Sequence, residues 1–321
     1  MMILSYLCRC FLVSLIQISC SSGAHQNPVK TSNSIQQTPP RILVILSSAD
    51  TLKLQDGKTY RTGFYFPELM TPLKELRNAG YAMDFANPAG SLPVVDAHSD
   101  NASYFGDTPQ STPAQRQAAQ SEYGDLRALC EELGLCGAPG TTVGTQRAMK
   151  LSDVLVGITR GTNHYAGILV PGGHAPMQDL LTNETYGELL RMFAGTKPIG
   201  LICHAPVSLI AAMPDPQRYI DAYIAGNEGE MARQRTSWPF KGQKMAVFTE
   251  AEEKIAEEQQ LGGRVRYYPD SLLESAGAMI QRAEPWQSNV IVSERLVTGQ
   301  NPASHTAFAE EYLRALKQVV K

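Results

Sequence analysis

No CxxC pair and no HExxH segment occurs in the 321-residue sequence. The ligand spacings that build zinc sites are therefore missing, and neither a metal nor another cofactor is expected. There is also no run of Lys or Arg and no interleaving of basic with aromatic residues. With 28 Lys+Arg against 31 Asp+Glu, the formal net charge is only -3. Such a chain has no long-range field to gather nucleic acid or an anionic membrane, and neither is expected as a partner. No internal repeat is visible, and 43% hydrophobic residues is ordinary globular composition.

Cysteine is scarce, and half of it stands apart. Cys8, Cys10 and Cys20 fall in a leader whose apolar stretch, Phe11 to Ile18, is interrupted by Ser14 and Gln17. That stretch is too short to cross ~30 Å of hydrocarbon, so no membrane span is expected. Small residues follow from Ser19 to Ala24, which reads as a secretory signal over 1–23. Export to a periplasm or the exterior is the expectation. Cys20-Ser-Ser-Gly also has the look of a lipoprotein start, and a mis-called start would leave a cytoplasmic protein. Residues 24–40 are polar, contain proline and lack periodicity, so they read as a linker. In an oxidising compartment Cys130 and Cys136 would close a small disulfide loop, leaving Cys203 unpaired.

From Arg41 the pattern is regular. Ile42 to Leu46 is a continuous aliphatic run, as in a strand buried on both faces. Leu69 to Ala79 reads as a helix and Tyr81 to Ala86 as the next strand. Residues 91–150 are less regular, with a helix expected over 113–133, and read as an insertion forming a lid or a dimer element. Then follow a strand at Tyr165–Val170, a helix at Leu180–Ala194, a strand at Pro198–Ile202 and an apolar helix at Ala205–Met213. Further strands are expected at Lys244–Phe248, Arg264–Tyr268 and Asn289–Val292, and a closing helix at Ala303–Val320. This alternation predicts an α/β fold, a three-layer α/β/α sandwich on a mainly parallel sheet, in one domain over 41–321.

Three segments carry chemistry. In Gly200-Leu201-Ile202-Cys203-His204-Ala205-Pro206 an apolar strand turns abruptly into an apolar helix. Such a nucleophile elbow pushes Cys203 toward solvent and to a helix N-terminus, where the peptide dipoles favour a thiolate. His204 beside it is a poor choice for an inert core. Val170-Pro171-Gly172-Gly173-His174 ends a parallel strand at the same sheet edge. Its glycines let backbone N–H groups approach a ligand, so Gly172, Gly173 and His174 are candidates for oxyanion or substrate binding. Thr62 to Glu68 (TGFYFPE) supplies a carboxyl, Glu68, which is either a proton carrier beside the thiol or a helix N-terminal residue favoured by the dipole.

The order TGFYFPE, VPGGHAPM, GLICHAP and VTGQNPAS resembles the ThiJ/PfpI superfamily. The likeness is to its larger branch of holding chaperones and glutathione-independent glyoxalases, which has a flavodoxin-like, glutamine amidotransferase-like fold. It runs over residues 41–321. It implies Cys203 as nucleophile, His204 as the following histidine and Glu68 as the acid against the sulfur. Among the carboxylates of Val247 to Glu253 it implies Glu253 as the third triad member, with Glu250 in reserve. Ala175-Pro176 after His174 departs from the family's Gly-Gly-His-Gly. The implied substrate is a small reactive carbonyl such as methylglyoxal. The alternatives are a Cys-His-Glu amidase or peptidase-like hydrolase, and a holding chaperone or redox stress protein. Relatives form homodimers, and a homodimer is expected here on that ground alone.

Overall fold

A computed structural model describes residues 38–319. The expected leader, the linker up to residue 37 and the end of the closing helix lie outside them. From Pro39 onward the described chain belongs to one compact unit.

The chain opens with β1 (Arg41–Ile45), β2 (Thr51–Lys53), β3 (Thr59–Arg61), α1 (Phe66–Asn78) and β4 (Ala82–Asn87). The irregular stretch then holds α2 (Pro113–Glu132) before β5 (Met149–Lys150) and α3 (Leu151–Thr159). Next come β6 (Gly167–Val170), α4 (Pro176–Asp179), α5 (Glu184–Phe193) and β7 (Ile199–Ile202). The remainder comprises α6 (Pro216–Ile224), α7 (Glu228–Gln234), β8 (Lys244–Met245), α8 (Glu250–Ala256), α9 (Pro269–Ser275), β9 (Met279–Ile280), β10 (Val290–Ser293), β11 (Leu296–Gly299) and α10 (His305–Val319). The main sheet has seven strands in the order β10-β11-β7-β6-β1-β4-β5. All its pairings are parallel except β10 with β11.

Alternation along the central strands divides the core into two layers, because successive side chains leave a strand on opposite faces. Leu43, Ile45, Ile168, Val170, Ile199 and Leu201 pack toward α3, α5, α6 and α9. Ile42, Val44, Leu169, Ile202 and Val297 pack toward α1, α2 and α10. This is the expected three-layer sandwich. β1, β6 and β7 converge with their carboxyl ends on one edge, and the loops there carry the chemical residues.

Several elements differ from the sequence reading. Arg264–Tyr268 forms no strand; the Arg264 carbonyl accepts instead from the Gln55 N–H beside the β2–β3 hairpin. Of Lys244–Phe248 only Lys244 and Met245 pair, with β9, because the flank of β11 is already covered by β10. The helix expected from Leu180 starts at Glu184, where the Asn183 side chain accepts from Tyr186 N–H as an N-cap. Ala205–Ala212 is a 3₁₀ rather than an α-helix, and its Ser208 hydroxyl donates back to the Ala205 carbonyl at 2.6 Å.

The insertion folds back on the domain. Its Cys130 and Cys136 are joined in a disulfide. Phe64 N–H donates to the Val94 carbonyl and Asp96 N–H to the Phe64 carbonyl, so the insertion runs alongside the TGFYFPE segment. Ser99 Oγ accepts from Phe66 N–H at 2.8 Å, satisfying a free donor at the start of α1.

Candidate active site

Cys203 follows β7 directly and has φ 63. A non-glycine residue in that region costs on the order of 1–3 kcal/mol and persists only where the surroundings impose it. Here both backbone groups are clamped: Cys203 N–H donates to the Gly299 carbonyl at 2.8 Å, and its carbonyl accepts from Phe248 N–H at 2.9 Å. The bend presents the side chain at the sheet edge, yet the residue is only 2% exposed.

His204 Nδ1 stands 3.2 Å from Cys203 Sγ, and His204 Nε2 stands 2.8 Å from Glu253 Oε2. The other Glu253 oxygen, Oε1, is 2.8 Å from His174 Nε2. One buried carboxylate thus joins two imidazoles. The His204 ring stacks on Phe248, with centroids 4.2 Å apart, and packs at a tilt against His174, with centroids 4.0 Å apart. Glu253 is positioned by α8, whose start is fixed by a reciprocal capping pair between Thr249 and Glu252. Glu250 points away and pairs with Lys254.

Glu68 approaches from the other side, on the first turn of α1 and fully buried. Neither carboxylate oxygen has a well-formed hydrogen bond among the described residues. Burial pushes the Glu68 carboxyl up to about 8, against the opposing pull of the Cys203 thiol and the Gly172 backbone. The Cys203 thiol is likewise pushed up, by burial first and by Glu68 second, while the Gly173 backbone N–H pulls it down. The expectation that the helix start alone would lower this thiol is therefore corrected: burial and a neighbouring acid outweigh the backbone dipoles. Two acids in contact refuse to ionise together, so the pair holds at least one proton near neutrality.

The imidazoles divide in the opposite sense. Burial and the neighbouring His174 lower His204 to about 4, despite Glu253. For His174 burial is outweighed by Glu253, with help from Asp96, and its proton is held more tightly than usual. Burial would raise Glu253, but the two imidazoles overcome it and hold the carboxyl well below the usual range.

Gly172 and Gly173 complete the enclosure. A Cβ on Gly172 would come within 2.5 Å of Glu68 Oε2 and 2.6 Å of the Cys203 Cβ. Gly173 has φ 86, and a Cβ there would meet the Gly63 carbonyl oxygen at 2.1 Å. The structure thus brings Cys203, His204, Glu68, Glu253, Gly172, Gly173 and His174 together. His174, read in the sequence as part of a binding loop, is committed to Glu253.

Two further neighbours, both from the insertion, carried no sequence signal. Asp96, from the insertion, accepts from the Thr62 hydroxyl at 3.0 Å. Tyr104, also from the insertion, is hydrogen-bonded to Tyr65, the residue before α1. Glu252 accepts from Thr249, from Trp286 N–H at 2.9 Å, and from the Gln300 and Asn301 amides at 3.2 and 2.7 Å. This explains the VTGQNPAS segment, whose Gln300 and Asn301 hold the α8 start in place. Ligand-type atoms of His174, His204 and Glu253 lie within 4.8 Å of one another, a spacing a metal ion would accept. They are already spent on each other in charge-assisted hydrogen bonds, and we assign no metal to them.

Residues 140–315 match the family model described as DJ-1/PfpI family. The chain belongs to the DJ-1/PfpI family. The match includes the Gly-Gly-His loop, the Cys203 elbow and Glu253, whereas Glu68 and Asp96 precede it. The protein/nucleic acid deglycase HchA of Staphylococcus aureus (strain JH9) is 22% identical over 265 residues, covering 82% of this chain and 75% of the relative. Among solved structures, Rapid Encystment Protein 24 kDa of Francisella tularensis is 21% identical with a TM-score of 0.57, covering 86% of this chain and 99% of that one. Glyoxalase III of Candida albicans is 18% identical with a TM-score of 0.52, covering 86% of this chain and 97% of that one. At these identities the two structures establish the shared fold.

Proposed function

We propose that this DJ-1/PfpI protein converts small 2-oxoaldehydes such as methylglyoxal to 2-hydroxy acids without glutathione. The observation that carries the reading is the placement of Cys203 between a base and an acid: the neutral imidazole of His204, and Glu68, whose carboxyl is raised to about 8. Cys203 passes its proton to His204 and the sulfur adds to the aldehyde carbon, giving a hemithioacetal whose oxygen takes a proton from Glu68. The Glu68 carboxylate then removes the hydrogen from that carbon as a proton and returns it to the neighbouring one, while the hydroxyl proton passes to the former ketone oxygen. This leaves a thioester, and attack by water releases the hydroxy acid and restores the thiol. The buried thiol fits a small substrate.

Hydrolysis of an amide or ester is the second reading, favoured by the Cys203–His204–Glu253 geometry at 3.2 and 2.8 Å. The Cys130–Cys136 disulfide supports export to an oxidising compartment. The deciding experiment is D-lactate release from methylglyoxal without glutathione, in wild type, Cys203→Ala and Glu68→Gln. Turnover by wild type and failure of both variants supports the carbonyl reading. Inert wild type with an intact reactive thiol overturns it and turns attention to amides and esters.

A further inference from the structure

A carboxylate shared by two imidazoles has a choice of where to keep a proton. Glu253 is fully buried, and His174 and His204 are 5% and 2% exposed. With neither imidazole protonated the cluster carries a buried negative charge; with both it carries a positive one. Burial disfavours both extremes and favours a single imidazolium. The surroundings choose His174. The negative charge of Asp96, itself held by the Thr62 hydroxyl, favours a cation there. His204 packs against both the His174 and Phe248 rings and meets the Cys203 thiol, which is itself against Glu68. Apart from Glu253, then, His204 has no anionic neighbour as favourable as Asp96 is to His174.

We propose that His174 is a positioning residue: as the cationic partner of Glu253, it limits the basicity of His204 and so keeps the Cys203 thiol protonated until an electrophile arrives. This rests on His204 being the base toward Cys203, as in the reading above. With His174 charged, the formal charge of Glu253 is already balanced, and the carboxylate supports an imidazolium at His204 less than in a simple triad. His204 remains neutral with its Nε2–H on Glu253, leaving the Nδ1 lone pair on the sulfur. The proton transfer then occurs only when bond formation to carbon removes the charge from sulfur. A thiol held this way also resists oxidation, since the thiolate is the oxidisable form.

The test is histidine ¹⁵N NMR on the full chain, with His174 and His204 assigned by difference against single Gln variants. In wild type at about pH 6, His174 is expected as an imidazolium and His204 as a neutral ring protonated on Nε2. His174→Gln retains a hydrogen-bond donor but not the charge. In that variant His204 is expected to titrate about 1 unit higher or more, and iodoacetamide is expected to label Cys203 faster at neutral pH. A charged His204 beside a neutral His174 in wild type would overturn the proposal, and that observation needs no variant to fold. So would unchanged His204 titration and labelling in a folded His174→Gln. Neither readout uses a carbonyl substrate. A wild type that forms no D-lactate, with the His204 shift still seen in His174→Gln, would sink the glyoxalase reading alone.

Discussion

Glu68 lies against Cys203 with both of its carboxylate oxygens buried and, among the described residues, without a well-formed hydrogen bond. A carboxyl so placed is costly as an anion and tolerable as an acid. The folded-state pKa of about 8 stands above the ordinary 4.5, so the native state binds this proton more tightly than the unfolded chain does. Stability from this group is full below about pH 4.5 and is lost as pH rises toward 8. Glu68→Gln should therefore lose less Tm than wild type between about pH 5 and 9. Parallel Tm curves for the two proteins would refute the shifted acid.

The glycine pair makes a second prediction. Gly173 combines φ 86 with a Cβ position 2.1 Å from the Gly63 carbonyl oxygen. Backbone cannot yield as a flexible side chain does. Gly173→Ala should cost about 2–4 kcal/mol in denaturant unfolding, and should abolish turnover by displacing the N–H that faces the sulfur. A variant of native stability and activity would show that the loop has room.

Much of this was legible in the sequence. β1, β6 and β7 are buried on both faces, and that burial writes itself as the uninterrupted runs around Ile42–Leu46, Gly167–Val170 and Ile199–Ile202. The elbow was legible because an apolar strand meets an apolar helix with Cys-His between. Strand pairing was not: Arg264–Tyr268 looks apolar enough for a strand, but nothing local says that no sheet edge is free to receive it. Asp96 and Tyr104 sit in an aperiodic insertion, where no period betrays what faces the thiol. The bond between His174 and Glu253 joins residues 79 apart in sequence and follows from the tertiary fold alone.

Glu252 offers a purely structural contrast to its neighbour Glu253. It is fully buried and gathers donors from Thr249, Trp286, Gln300 and Asn301. Glu252→Ala strands those donors and should destabilise by about 3–5 kcal/mol, read by urea unfolding. It should also lower kcat by loosening α8. Normal unfolding with lost activity would instead mark Glu252 as chemically engaged.

Glu253→Gln separates the two chemistries the site can support. Amide or ester hydrolysis needs an imidazolium to protonate the leaving group, and the charge of Glu253 stabilises that imidazolium across the 2.8 Å contact with His204. A neutral amide there can also present the wrong group to His204 and turn its tautomer, which in a serine triad costs about 10⁴ in kcat. A 2-oxoaldehyde has no leaving amine or alkoxide to protonate: after the first proton transfer from Cys203, Glu68 moves the hydrogen between carbons, and the thioester left for water to attack releases only the Cys203 sulfur. Glu253→Gln should therefore retain measurable D-lactate formation at a reduced rate while any hydrolase activity vanishes. Equal loss of both would place the rate-limiting burden on His204 in either reaction. It would strip Glu68 of its special role, because the acid on the far side of the sulfur would then be unable to sustain the proton transfer on its own.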